Sequence, residues 1–378
     1  MVTTDVSLLG FKLRSPLVAA SGPMTRNFVS IKQLAATGIG AAITKTILLS
    51  PSTNPQPCLY RGKDYFLNTE RCSTIPLARW LEEELPRLCT LEIPIIASIG
   101  MTPDDVAELA PQVVEAGAQM LELSIFTGYD DPQPMVEAVR RVKAAVDVPV
   151  IVKLSSNVHD IVEFGRAVKN AGADAVSAID AVKAGITIDP VTGRPALLQQ
   201  GFGRVSGEAI KALALYNVAQ LAHYVGITII GTGGVTTGVD AIEMLSCGAA
   251  AVGVCTALIV DGPEKAARMN EEMRKFMREH GFSSLDEIRG RTISQIDFPE
   301  TTEERQEYEK RQVQATDRTV VIDQGTCVKC GICRRVCLYG AVDERDGAFA
   351  IDPERCKACG LCVSMCPVSA IDYKERTR

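Results

Sequence analysis

Over the first 300 or so residues, short apolar runs rich in β-branched side chains alternate with longer stretches in which apolar positions recur every three or four residues. The short runs predict strands over Leu17–Ser21, Ala41–Thr46, Pro94–Ile99, Met120–Ile125, Val148–Leu154, Asp174–Ile179, Ile227–Gly231 and Ala250–Thr256. Helical patterns lie between them, such as Asp104–Ala116, with Thr102 as N-cap ahead of Pro103, and Pro134–Val146. Three turns repeat one phrase, Ala116-Gly117-Ala118, Ala171-Gly172-Ala173 and Cys247-Gly248-Ala249, placing a glycine where a helix stops and reverses into a buried strand. Eight βα units predict a (β/α)8 TIM barrel, an α/β fold with functional residues at the C-terminal ends of its strands. A doubly wound open sheet is the competitor. Against it, no GxGxxG follows the first strand, and glycines gather after the sixth and seventh.

The chain has 378 residues, of which 46% are hydrophobic and 23% charged, a mix that excludes wholesale disorder and allows two or three folded units. A net charge of -6 supplies no broad basic field, so neither nucleic acid nor a membrane is expected as a partner. The N-terminus lacks a basic region followed by an apolar one, and the longest uncharged apolar run, Gly248–Val260, is too short to span a bilayer. A cytoplasmic protein is expected, and there 13 cysteines point to metal ligation or catalysis rather than disulfides. The three histidines and Trp80, the latter in a predicted helix Pro76–Arg87, read as surface or packing residues.

Eight cysteines occupy the last sixty residues in two copies of CxxCxxCxxxC: Cys327, Cys330, Cys333, Cys337, then Cys356, Cys359, Cys362, Cys366. In such a pair each run holds three corners of one cubane and passes its fourth thiolate to the other. One [4Fe-4S] cluster would take Cys327, Cys330, Cys333 and Cys366, and the second Cys356, Cys359, Cys362 and Cys337. Tetrahedral zinc is the alternative, with a poorer fit to an evenly doubled octet. The segment resembles bacterial two-cluster ferredoxins, with Leu338 where the pattern has proline after the fourth cysteine. The polar stretch from Pro299 reads as a linker, giving a barrel over 1–298, a linker over 299–318 and a small α+β two-cluster ferredoxin-like domain over 319–378.

The barrel resembles the dihydroorotate dehydrogenase family, and the barrel-plus-ferredoxin order is similar to the iron-sulfur subunit of bacterial dihydropyrimidine dehydrogenase. The motifs that carry this are Ala20-Ser21-Gly22-Pro23, Thr44-Lys45-Thr46, Asn54-Pro55-Gln56-Pro57, Leu121-Glu122-Leu123-Ser124, Val152-Lys153-Leu154, Gly203-Arg204-Val205-Ser206-Gly207, Gly231-Thr232-Gly233-Gly234 and Val254-Cys255-Thr256, in this order along the chain. The resemblance implies FMN, held by Ala20, Ser21, Gly22, Lys45, Thr46, Ser98, Ser124, Lys153, Ser206, Gly207, Gly233, Gly234, Cys255 and Thr256. Residue chemistry supports it independently. A lysine in a run as apolar as Pro149–Leu154 is costly without an anionic partner, and Lys153 at the ring would stabilise the negative charge of reduced flavin. Lys45 follows the same logic and is a catalytic candidate. Gly207, Gly233 and Gly234 would let backbone N–H groups approach a phosphate, or serve only as turns. Ser98 reads equally as a ring neighbour or a small core residue. Cys58, Cys72, Cys89, Cys247 and Cys255 show no ligand spacing, and packing is their default.

The substrate residues depart from the family. Where relatives carry Asn-x-Ser-Cys-Pro or Asn-x-Ser-Ser-Pro after the fourth strand, this chain has Ser124-Ile125-Phe126-Thr127-Gly128, which puts Thr127 at the base position with Tyr129, Asp130 and Asp131 beyond it. Tyr129 is the expected proton donor in a reductase direction and Thr127 the second choice. The asparagine usual after the sixth strand is Asp180, an acceptor when ionised and the residue expected to orient the substrate. Asn68 matches a substrate asparagine or caps a loop in the long segment between the second and third strands. The expected protein is an FMN oxidoreductase that reduces or oxidises a carbon-carbon bond of a small molecule and passes electrons through two [4Fe-4S] clusters. Without a visible NAD fingerprint, its partner would be a ferredoxin or an NAD(P)H-oxidising flavoprotein subunit, within a homo- or hetero-oligomer. The alternatives are a genuine dihydropyrimidine dehydrogenase subunit and a non-catalytic electron-transfer subunit.

Overall fold

The computed structural model describes residues 2–125, 128, 130–199, 201–299 and 318–375, which fall into two compact units, Met1–Asp297 and Phe298–Arg378. Most of the expected linker, residues 300–317, lies outside the described residues.

In the first unit eight strands close a barrel: β1 (Leu17–Ala19), β2 (Ala41–Ile43), β3 (Ile95–Ile99), β4 (Met120–Leu123), β5 (Val150–Leu154), β6 (Ala175–Ala178), β7 (Thr228–Thr232) and β8 (Ala251–Val254). Every neighbouring pair is parallel, including β8 with β1. These are the eight apolar runs of the sequence, and they are largely apolar because each strand is covered on both faces, by barrel interior and by helices. The helix Pro103–Glu115 starts on a reciprocal cap in which Asp105 N–H donates to the Thr102 hydroxyl while Thr102 N–H donates to the Asp105 carboxylate. Gly117, Gly172 and Gly248 all hold φ between 102° and 109°, a region closed to most side chains, and so turn their helices into the next strand.

The sequence pattern did not reveal a second, antiparallel sheet of four short strands in the order Val182–Gly185, Gly203–Ser206, Phe66–Asn68, Leu59–Arg61. Its halves come from the β2–β3 and β6–β7 connections, and the Tyr65 hydroxyl bonds that of Thr187 between them. Trp80 packs as expected, fully buried with its indole N–H donating to Ser73 Oγ at 2.8 Å.

In the second unit Arg318–Ile322 pairs antiparallel with Ile371–Glu375, and Val342–Arg345 with Ala348–Ile351. Helical turns Ile332–Val336 and Leu361–Ser364 complete an α+β fold whose core is Val320, Val342, Phe349 and Ile371 packed with cysteines.

Candidate flavin site and cysteine quartets

A cavity of about 640 Å³ opens at the C-terminal ends of the barrel strands, with the four-stranded sheet contributing Phe66, Asn68, Gly203, Arg204 and Ser206 to its wall. It collects Ala20, Ser21 and Gly22 after β1, Lys45 and Thr46 after β2, Ser124 after β4, Lys153 in β5 and Asp180 after β6. Gly233 and Gly234 after β7, Cys255 and Thr256 after β8, and Gly207 complete the expected set. Ser98 stands apart. It is fully buried beneath the wall, where its hydroxyl donates to Glu122 Oε1 at 3.1 Å and exchanges a hydrogen bond with Thr46 Oγ1 at 3.1 Å, so it supports Thr46 instead of facing the cavity. Phe126, Thr127 and Tyr129 lie outside the described residues.

The anionic partner that Lys153 requires is Asp180, whose Oδ1 lies 3.2 Å from Nζ. Burial opposes the ammonium, yet the charges of Asp180 and of Glu122 outweigh it and hold Lys153 above its ordinary pKa. Burial likewise opposes the Asp180 carboxylate, but Lys153 and Arg204 pull it below the usual value. Asp180 therefore bridges two cations, with Arg204 Nη1 at 3.4 Å from Oδ2. Lys45 makes a separate buried pair with Glu70 at 2.5 Å, and Asn54 Nδ2 donates to the other Glu70 oxygen at 3.4 Å. Cys255 and Cys72 also line the cavity, and burial pushes both thiols up despite the nearby lysines.

At Gly233 and Gly234 the chain closes tightly. A Cβ on Gly234, whose φ is +73°, would sit 2.5 Å from the Lys211 backbone, and one on Gly233 would meet Ala214 at 2.9 Å. The Ser206 and Thr256 hydroxyls exchange a hydrogen bond of 2.8 Å, with Thr256 against Gly207.

In the second unit Cys327, Cys330, Cys333 and Cys366 surround one small cavity, and Cys337, Cys356, Cys359 and Cys362 a second. Each quartet takes three cysteines from one run and the fourth from the other. The two loops share one conformation: Lys329 and Ala358, Gly331 and Gly360, and Gly340 and Ser369 all have positive φ at matching positions. Two backbone donors match as well, Ala341 N–H to Cys337 Sγ and Ala370 N–H to Cys366 Sγ, both at 3.2 Å.

A family model described as dihydroorotate dehydrogenase matches residues 3–277, and one described as 4Fe-4S binding domain matches residues 349–372. The chain belongs to the dihydroorotate dehydrogenase family. Its relatives include dihydroorotate dehydrogenase B (NAD(+)) catalytic subunits from Methanothermobacter thermautotrophicus, at 37% identity over 76% of this chain and 97% of that one, and from Pyrococcus abyssi, at 36% over 76% and 98%. A third, from Geobacter sulfurreducens, shows 36% identity over 76% of this chain and 97% of its own. Membership makes the chain a flavin oxidoreductase of the class acting on CH–CH groups, with FMN as the implied flavin and a 4Fe-4S domain attached.

The residues present fit that flavin. Gly207, Gly233 and Gly234 line the cavity together with the hydroxyl-bearing Ser206 and Thr256, a set of backbone and side-chain donors of the kind that holds a phosphate. A lysine kept charged in the same cavity suits the electron-rich edge of an isoalloxazine ring. In this dihydroorotate dehydrogenase relative, sequence reasoning missed Glu70, Arg204 and Cys72 at the cavity. Glu70 sits two positions past Asn68, and Arg204 two before Ser206, so strand alternation about the recognised residues was the available signal.

Proposed function

We propose that the chain catalyses the reduction or oxidation of a carbon-carbon bond in a small molecule at the barrel mouth, exchanging electrons through two [4Fe-4S] clusters. The observation that carries this reading is the convergence of the strand-end motifs on one cavity with a paired, charged Lys153 in its wall. FMN held there supplies hydride exchange with carbon on one side and single electrons on the other. Ser206, Gly207, Gly233, Gly234 and Thr256 would hold its phosphate, while Lys153 would hold positive charge at the ring and Asp180 would keep that lysine in place. Lys45, fixed by Glu70, would stand beside the ring with Thr46. The proton on the face opposite the ring falls to Tyr129, with Thr127 second, and Asn68 would orient the substrate.

The two cysteine quartets fit one cubane each, in the crossed arrangement, and the clusters would carry electrons singly to or from a ferredoxin or an NAD(P)H-oxidising flavoprotein subunit. The names of the relatives, catalytic subunits of NAD(+)-linked enzymes, favour a separate subunit as that partner. They also favour dihydroorotate as a second reading of the substrate. Anaerobic mixing of the flavin-loaded chain with dihydroorotate, and of its reduced form with uracil and thymine, tests both. Bleaching by dihydroorotate supports the second reading, and reoxidation by uracil or thymine makes the chain a dihydropyrimidine dehydrogenase. Flavin that no small unsaturated compound oxidises and no saturated one reduces would favour a purely electron-transferring subunit.

A further inference from the structure

We propose that the surface around Cys330 in the second unit is a docking face for an acidic protein that carries a one-electron centre, a reading that rests on the two cysteine quartets holding clusters. Each quartet leaves one thiol exposed, Cys330 in the first and Cys359 in the second. At Cys330 the surroundings are apolar: Val328 and Val368 line the same small cavity and are 60% and 36% exposed. Electron exchange between proteins requires close approach. An apolar centre that sheds water easily, set inside a charged rim, suits such small and short-lived contacts.

The rim is basic. The run Cys327–Cys337 contains Lys329, Arg334 and Arg335 and no carboxylate, in a chain whose net charge is -6. Lys329 stands between Val328 and Cys330, and Arg335 lies on the helical turn Ile332–Val336 that carries Cys333. Both are exposed, and among the described residues neither forms an ion pair, whereas Arg334 is tied to Glu344 at 2.6 Å. Carboxylates of the same unit are engaged within the fold. Asp323 accepts from Gly325 N–H and from the Thr326 hydroxyl in its own loop, and Asp343 and Asp352 both pair with Arg355. The second run, Cys356–Cys366, has one cation, Lys357, with the exposed Glu354 just ahead of it. Positive charge is therefore concentrated at the first quartet. An acidic partner is repelled by the chain as a whole and drawn to this patch, which fixes both where it lands and how it is turned. A basic partner would meet the opposite field.

The test uses the full-length chain loaded with FMN and clusters, and a purified acidic two-[4Fe-4S] ferredoxin as the probe. Iron, sulfide, FMN and cluster midpoint potentials are measured first for every variant, because a cation beside a cluster also acts on its potential. In anaerobic stopped flow the reduced ferredoxin bleaches the parent's flavin with a second-order rate constant that falls about tenfold or more between roughly 50 and 500 mM salt. Lys329→Glu and Arg335→Glu each lower that constant severalfold at low salt, and together by about tenfold or more, while Lys357→Glu has a smaller effect. Transfer from the reduced chain to cytochrome c, a basic acceptor, is not slowed by the same variants. A second readout needs no electron transfer: a carbodiimide joins Lys329 to a ferredoxin carboxylate, a link located by mass spectrometry and suppressed by salt. A rate indifferent to salt, a double variant as fast as the parent, a larger effect of Lys357→Glu, or a loss that follows a shifted cluster potential would each overturn the proposal. So would a chain whose clusters dithionite reduces and the ferredoxin does not. Full cluster content in those cases leaves the cluster reading standing, whereas a chain without [4Fe-4S] clusters overturns both.

Discussion

Lys153 and Asp180 show how much a single buried charge demands of its surroundings. The ammonium sits in a strand that is otherwise apolar, and the carboxylate 3.2 Å away, with the charge of Glu122, makes it tolerable. Lys153→Ala is expected to lower the flavin potential or to empty the site, measured as flavin content and by potentiometric titration. Asp180, held below its ordinary value, contributes stability that is complete above its unfolded-state pKa near 4 and is lost as pH falls through the lower folded value. Lys153, held above its ordinary value, contributes stability complete below about 10.4 and lost as pH rises through the higher folded value. Flavin retention should therefore be flat between about pH 5 and 9, and a step near neutrality in a flavin-release titration would contradict the pairing. Tyr129→Phe should slow substrate-driven flavin reoxidation by roughly 10² to 10⁴ in stopped flow, the range for a lost general acid, with flavin content unchanged. The strand-end lysines and glycines were legible in the sequence because strand ends are marked by apolar runs. Arg204 and Glu70 were not, because their roles depend on the register between two short strands far apart in the chain.

At the scale of elements, the barrel was readable and the sheet over its mouth was not. Eight buried strands each announce themselves by a mostly apolar run, whereas Leu59–Arg61 is exposed throughout and Val182–Gly185 is half solvated, so neither carries a comparable signal. The loop glycines are a different kind of element. Gly234→Ala must place a methyl 2.5 Å from the Lys211 backbone at positive φ, and flavin content should fall severalfold as the loop moves away. Thr102→Ala removes an N-cap whose own side chain does not line the cavity and is expected to cost about 1 kcal/mol in thermal or denaturant melts while leaving flavin content intact. Equal flavin loss in both variants would mean that the glycine acts only through overall stability.

For the whole molecule, two folded units divide the labour, one gathering a flavin cavity and the other two thiol quartets. The cysteine spacing alone made the second unit legible, since ligand sets of this kind are local in sequence, and the paired loop conformations repeat that spacing in three dimensions. Which small molecule enters the barrel was not legible, because specificity is assembled from side chains on separate connections. Among the described residues no helix is long and apolar enough to cross a membrane. The central claim is that one chain joins a two-electron flavin to two one-electron clusters, and an anaerobic reductive titration of the purified protein, with iron, sulfide and FMN measured on the same sample, tests it most directly. The account predicts about eight iron, about eight sulfide and one FMN per chain, with uptake of about four electrons, two in the flavin and one in each cluster. Stoichiometric zinc with little iron, or uptake that ends at the two electrons of the flavin, would contradict it.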